Sequence, residues 1–164
     1  MSHVPTDPQG IVGFAAHDHG ACTRAALARA EEACAEKGLS FTPVRRRTLE
    51  ILLESHTSLG AYDVLARLAE DGFGSKPPVA YRALGFLVDN GLAHRIERLN
   101  AFVACAHPGA VHDPAFFICR KCGAVAEAQG VTPLDASASA AGFAVEKTTI
   151  EAEGLCPLCR EEAA

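Results

Sequence analysis

Residues 76–91 read Lys76-Pro77-Pro78-Val79-Ala80-Tyr81-Arg82-Ala83-Leu84-Gly85-Phe86-Leu87-Val88-Asp89-Asn90-Gly91, and two short alternating runs follow, Leu92 to Glu97 and Ala101 to Cys105. A proline pair presets φ for the first turn of a helix, where a missing N–H costs nothing. Val79, Leu84, Leu87 and Val88 recur at helical spacing and are expected to face inward, leaving Tyr81, Arg82 and Asn90 for other contacts. Gly91 supplies the stop. The two runs beyond it, separated by Leu99-Asn100, predict a β-hairpin. Helix followed by hairpin is the latter half of a winged helix, whose late helix enters a DNA major groove while the strands brace it against the backbone.

The preceding residues complete that module. Leu27, Ala30, Ala33 and Cys34 predict a helix over Thr23 to Lys37, stopped by Gly38. Thr42 is positioned to cap a second helix that starts at Pro43 and turns Leu49, Ile51, Leu52 and Leu53 inward. A third is expected over Ser58 to Ala69, with Tyr62, Leu65 and Leu68 on one side and Gly72-Phe73-Gly74 as the following turn. Residues 1–20 mix Pro5, Pro8, Gly10, Gly13 and Gly20 without apolar periodicity and read as a flexible arm. His17-Asp18-His19, with Cys22 nearby, reads as a solvated turn, since nothing pins the backbone as ligation requires.

After residue 105 the pattern changes. Phe116-Phe117-Ile118 runs into Cys119, Ala124-Val125-Ala126 runs out of Cys122, Thr132 to Ala141 is expected to be helical, and Phe143 to Ala152 alternates before Cys156. The fold class is therefore α+β: a winged-helix domain over 21–104, a hinge at about 98–112, and a small domain over 105–164. Two Cys-x-x-Cys pairs, Cys119/Cys122 and Cys156/Cys159, offer four thiolates to one zinc ion, with Gly123 easing the first knuckle and Pro157 stiffening the second. Redox disulfides are the competing reading. The chain has seven cysteines, an odd number, and Cys22, Cys34 and Cys105 are scattered, which is unlike a disulfide framework. Thirty-three residues, Gly123 to Leu155, separate the knuckles, so one ion would tie distant strands together.

No run of 18 apolar residues and no leader pattern occurs, so a cytoplasmic chain without a membrane partner is expected. The formal net charge of −5 is unevenly spread: residues 40–98 carry eight Lys/Arg against seven Asp/Glu, and residues 101–164 carry four against eight. A local basic face is compatible with that distribution. Arg45-Arg46-Arg47 can meet phosphates or simply be solvated, and Tyr81 and Arg82 are better placed for base or phosphate contact.

A second group of metal-capable residues, His94, Cys105, His107, His112, Asp113 and Glu127, surrounds the expected domain boundary. Imidazole, thiolate and carboxylate together suit zinc, and a ligand set drawn from two domains makes domain orientation depend on metal. A polar linker is the alternative, and His107-Pro108-Gly109 looks like a turn.

Lys76 to Leu84 resembles the Lys-Pro-Pro-Thr-Val-Tyr-Arg-Ala-Leu signature of the ferric uptake regulator family. Leu39 to Arg45 and Phe117 to Gly123 resemble that family's helix opening and first zinc knuckle, and the likeness covers residues 22–160. Gly91 to Glu97 and Asn100 to Cys105 are similar to the zinc-responsive branch. The resemblance implies a zinc-responsive transcriptional repressor of zinc-uptake genes, a homodimer on double-stranded operator DNA, neither an enzyme nor a binder of a small-molecule substrate. It implies two zinc ions per chain: a structural one at Cys119, Cys122, Cys156 and Cys159, and a regulatory one at His94, Cys105, His112 and Glu127. It also implies DNA contacts from Tyr62, Tyr81 and Arg82. Val79-Ala80 stands where the family usually has Thr-Val, which removes a hydroxyl, and Ala66 and Ala69 lie where paired dimers would carry charges.

Rival readings are a same-family sensor of another metal or of peroxide, a zinc storage or chaperone protein, and a zinc deaminase. The thiolate of Cys105 suits zinc and is a poor manganese ligand. Storage needs no recognition helix. His94 and Glu97 do not form the deaminase His-x-Glu element.

Overall fold

A computed structural model describes residue 14 and residues 18–54, 56–109, 112–129 and 134–163. They form two units, one of residues 18–109 and the other of Phe14 with residues 112–163. Most of the expected arm, including His17, lies outside the described residues.

The first unit runs α1 (His19–Glu36), α2 (Pro43–Leu53), α3 (Ala61–Glu70), α4 (Pro77–Asp89), β1 (Ala93–Ile96) and β2 (Ala101–Ala104). This is the winged-helix order. α1 begins four residues before the expected Thr23, because Asp18 accepts the Ala21 amide at 3.1 Å and caps the helix. His19 and Gly20, expected to close the arm, are therefore helical. Thr42 occupies the N-cap of α2, but its hydroxyl makes no capping bond. Pro43 opens that helix as expected.

α3 is shorter than the sequence suggested. Gly60 is its N-cap and Asp63 accepts the Gly60 amide at 3.1 Å, which leaves Leu59 free to pair with β2. Leu59 and Phe102 exchange backbone hydrogen bonds of 2.9 and 2.8 Å, so a third short segment edges the hairpin. Tyr62 does not join the inward face: Ala61, Val64, Leu65 and Leu68 do, and Tyr62 is 68% exposed.

α4 buries Ala80, Ala83, Leu84 and Leu87, a stripe at i, i+3, i+4 and i+7. The expected Val79 and Val88 lie at its margins, half-buried. Gly91 adopts φ +69°, and the Leu92 amide reaches back to the Leu87 carbonyl at 2.8 Å while Gly91 bonds Val88. That left-handed stop ends the helix and buries Leu92 beside Leu87. It delivers the chain into β1, which pairs antiparallel with β2 from Ala93↔Ala104 to Ile96↔Ala101. Asn100, at φ +47°, makes the turn. The core gathers Leu49, Ile51 and Leu52 from α2, Leu68 from α3, and Leu84 and Leu87 from α4.

The second unit runs β3 (Pro114–Cys119), β4 (Val125–Gln129), α5 (Asp135–Ala140), β5 (Ile150–Gly154) and α6 (Pro157–Glu161). Its sheet has the order β4-β3-β5, with β4 antiparallel and β5 parallel to β3. Phe116 and Ile118 are buried from the central strand, with Val125 and Ala126 from its neighbour. Two expectations shift here. The strand forms over Ile150–Gly154 rather than from Phe143, and Phe143 is 69% exposed. The helix spans Asp135–Ala140, and Thr132 lies outside the described residues.

Candidate metal centre

Cys119 ends β3, and the chain turns at once: Gly123, at φ +75°, donates to the Cys119 carbonyl at 3.0 Å, and the Cys119 amide donates to the Ala124 carbonyl at 2.9 Å. A side chain at Gly123 would be strained in that left-handed conformation. Cys156 is the N-cap of α6, Pro157 its first residue, and Cys159 sits buried one turn in. The parallel register places Gly154 opposite Cys119, and Arg120 donates to the Gly154 carbonyl at 2.9 Å. The sheet therefore carries the second knuckle to the first.

The four sulfurs of Cys119, Cys122, Cys156 and Cys159 lie within 4.8 Å of one another, and Cys122 Sγ is 3.7 Å from Cys156 Sγ. Thiolates about 2.3 Å from a zinc ion at tetrahedral angles stand about 3.8 Å apart, whereas a disulfide holds its sulfurs about 2.05 Å apart. No disulfide links the seven cysteines, and the gathering of all four sulfurs at ligand spacing favours a shared metal ion over redox disulfides. The amides of Cys122 and Cys156 donate to the Cys119 sulfur and pull its pKa down to about 6. Burial, with the adjacent Cys156, Cys122 and Cys119 sulfurs, pushes Cys159 up to about 12. Four crowded sulfurs cannot all ionise without a cation among them, and a soft divalent ion of tetrahedral preference fits this donor set.

The second donor group is presented in two pairs. In the first unit His94 lies on β1 opposite Val103, and Cys105 is buried just after β2, its amide bonded to the Leu92 carbonyl at 3.0 Å. A His94 ring nitrogen and the Cys105 sulfur are within 4.8 Å. In the second unit His112 Nε2 lies 2.7 Å from Glu127 Oε1, with the two side chains only 8% and 5% exposed. Glu127 sits on β4 opposite Phe116. A carboxylate is costly to bury unless it is paired or ligating. His107 lies in a turn and its backbone amide meets the Cys105 sulfur at 3.3 Å, while Asp113 is exposed.

Tyr62 on α3 is 68% exposed, and Tyr81 and Arg82 stand exposed near the start of α4. This excludes a core role for either tyrosine. The arginine triplet is committed elsewhere. Arg45 donates to the Ser40 carbonyl and lies 3.7 Å over the Phe86 ring; Arg46 pairs with Glu31 and Glu50; Arg47 bonds Asp71 at 2.6 Å and meets Glu54 at 3.2 Å. One apolar neighbour of the thiolate cluster had no sequence signal: Phe14, from the N-terminal segment, packs against Cys119, Cys156 and Cys159. Nothing local to Phe14 points to cysteines so far along the chain.

No family model matches the chain. The zinc uptake regulation protein of Escherichia coli K12 is 40% identical over 143 residues, covering 85% of this chain and 84% of that protein. A solved zinc uptake regulator in complex with zinc and DNA is 39% identical with a TM-score of 0.81, covering 87% of this chain and 98% of that one. The crystal structure of holo XcZur is 38% identical with a TM-score of 0.75, covering 82% and 96%. With the four-cysteine cluster, the winged helix and identity of this extent, the chain belongs to the zinc uptake regulation proteins of the ferric uptake regulator family.

Proposed function

We propose that this chain is a zinc-responsive transcriptional repressor, a cytoplasmic homodimer that binds operator DNA when a regulatory zinc is held and so controls zinc-uptake genes. The observation that carries the reading is the presence of two donor pairs, His94 with Cys105 in the first unit and His112 with Glu127 in the second, in addition to a complete four-cysteine cluster in the second unit. The relative solved with zinc and DNA supports it. Among the described residues no helix is long and apolar enough to cross a membrane.

In this reading Cys119, Cys122, Cys156 and Cys159 hold a structural zinc that supplies four bonds cross-linking β3 to α6. His94 of the winged helix (21–104) and Cys105, the first residue after it within the hinge at about 98–112, join His112 and Glu127 of the dimerisation domain (105–164) around a second, exchangeable zinc. These four side chains bias the chain toward the arrangement in which both recognition helices of a dimer meet the major groove, since a ligand shifts an equilibrium only by its differential affinity for the two states. Leu134, Phe143, Val145 and Leu158 are exposed on the second unit, which suits a self-association surface. Tyr62, Tyr81 and Arg82 contact operator DNA.

Metal analysis before and after mild chelation tests the two-site reading: two zinc ions per chain are expected to fall to one. A single ion that never exchanges would leave a structural zinc only. Arg82→Ala is expected to weaken operator binding by about 1–3 kcal/mol, the worth of one bidentate base contact, without lowering the melting temperature, because the side chain is exposed. Fluorescence anisotropy with operator and scrambled duplexes reads this. Equal loss on both duplexes would assign Arg82 to phosphate rather than base.

A further inference from the structure

Among the described residues ahead of α1, Phe14 reaches the four-cysteine cluster. Phe14 packs with Ala124 and Leu155 against Cys119, Cys156 and Cys159, and it lines a cavity of 150 Å³ together with Phe117, Ile118, Ala152 and Cys156. It is the only Phe, Tyr or Trp among the first 40 residues. The sulfurs it neighbours are the buried ones, whereas Cys122 is exposed. The cluster thus has an open flank at Cys122 and an apolar cover over the other three ligands.

Zinc leaves a thiolate site when a competing donor reaches the metal and a proton reaches the departing sulfur, and apolar surroundings control that access. We propose that Phe14 is a retaining plug over the four-cysteine zinc site, so that the N-terminal segment sets how slowly the structural ion is lost. This rests on reading the cluster as a zinc site. It gives the segment ahead of α1 a role that is independent of DNA and of the exchangeable metal. The contact spans almost the whole chain, and Phe supplies an apolar area that the Ala and Gly residues around it lack.

The test uses the full-length zinc-loaded protein and excess 4-(2-pyridylazo)resorcinol, following colour as the chelation-resistant ion is released. Phe14→Ala is expected to release it about tenfold faster than the parent, the order of effect that follows from removing one partly buried aromatic side chain, with Phe14→Leu in between. Iodoacetamide labelling of the zinc-loaded protein, mapped by mass spectrometry, is expected to speed up at Cys119 and Cys156 in Phe14→Ala and to stay unchanged at Cys122. Equal release rates in all three proteins would overturn the proposal. A parent protein with no resistant zinc before chelator is added would remove the zinc reading of the cluster, and the plug with it.

Discussion

Cys156→Ser and Cys159→Ser are each expected to unfold residues 112–163 while leaving the helices of the first unit intact. The second unit has a small apolar interior, in which Phe116, Ile118, Val125 and Ala126 are the main buried side chains, and α5 buries none. The knuckles hold the ends of this sheet together across a connection of 33 residues. Zinc binding at such thiolate sites carries about 10–16 kcal/mol, comparable with the whole stability of a domain at about 5–15 kcal/mol. Serine conserves shape but gives no thiolate. The first unit has its own core around Ile51, Leu68 and Leu84 and none of the four ligands. Hydrogen exchange should therefore show protection lost over 112–163 and kept over 43–89, with zinc content reduced by one per chain. Unchanged protection in the second unit would mean that the sheet stands without the metal.

His94→Ala and Cys105→Ser are expected to have the opposite signature, an intact fold with a weakened response. His94 is half-buried on a hairpin strand, and serine closely matches cysteine in volume at position 105, so neither change opens a large cavity. Each removes a donor from the proposed regulatory site. Allosteric coupling of about 1–3 kcal/mol corresponds to a loss of about 5–150-fold in operator affinity at limiting zinc. Anisotropy titrations at fixed low free zinc measure it, and melting curves check the fold. Binding with the parent's zinc dependence would remove both residues from the site.

Much of this was legible residue by residue. The proline pair at 77–78, the stop at Gly91 and the hairpin beyond it are local patterns, and each appears where the spacing puts it; in α4 Leu84 and Leu87 face inward as expected, whereas Ala80 and Ala83 are buried in place of Val79 and Val88. The two Cys-x-x-Cys pairs announced a metal site because the short spacing already gathers two thiolates per knuckle. Where the reading slipped, tertiary partners intervened. Leu59, expected in a helix, pairs with Phe102; Tyr62, grouped on one side with Leu65 and Leu68, faces solvent while they are buried; and Arg46 and Arg47 are taken up by carboxylates from α1, α2 and the end of α3.

The amino-acid order alone carried the helices, the hairpin and the knuckles, because periodicity, capping and turn chemistry act over a few residues, and the family through the resemblance of its motifs. Three things waited for the folded chain: the parallel pairing of β5 with β3 that brings Cys156 to Cys119, the burial of Glu127 against His112, and the seating of Phe14 on the cysteine cluster. They join residues 37, 15 and 105 positions apart, respectively. No local propensity encodes such a meeting; the packing of the whole sheet selects it.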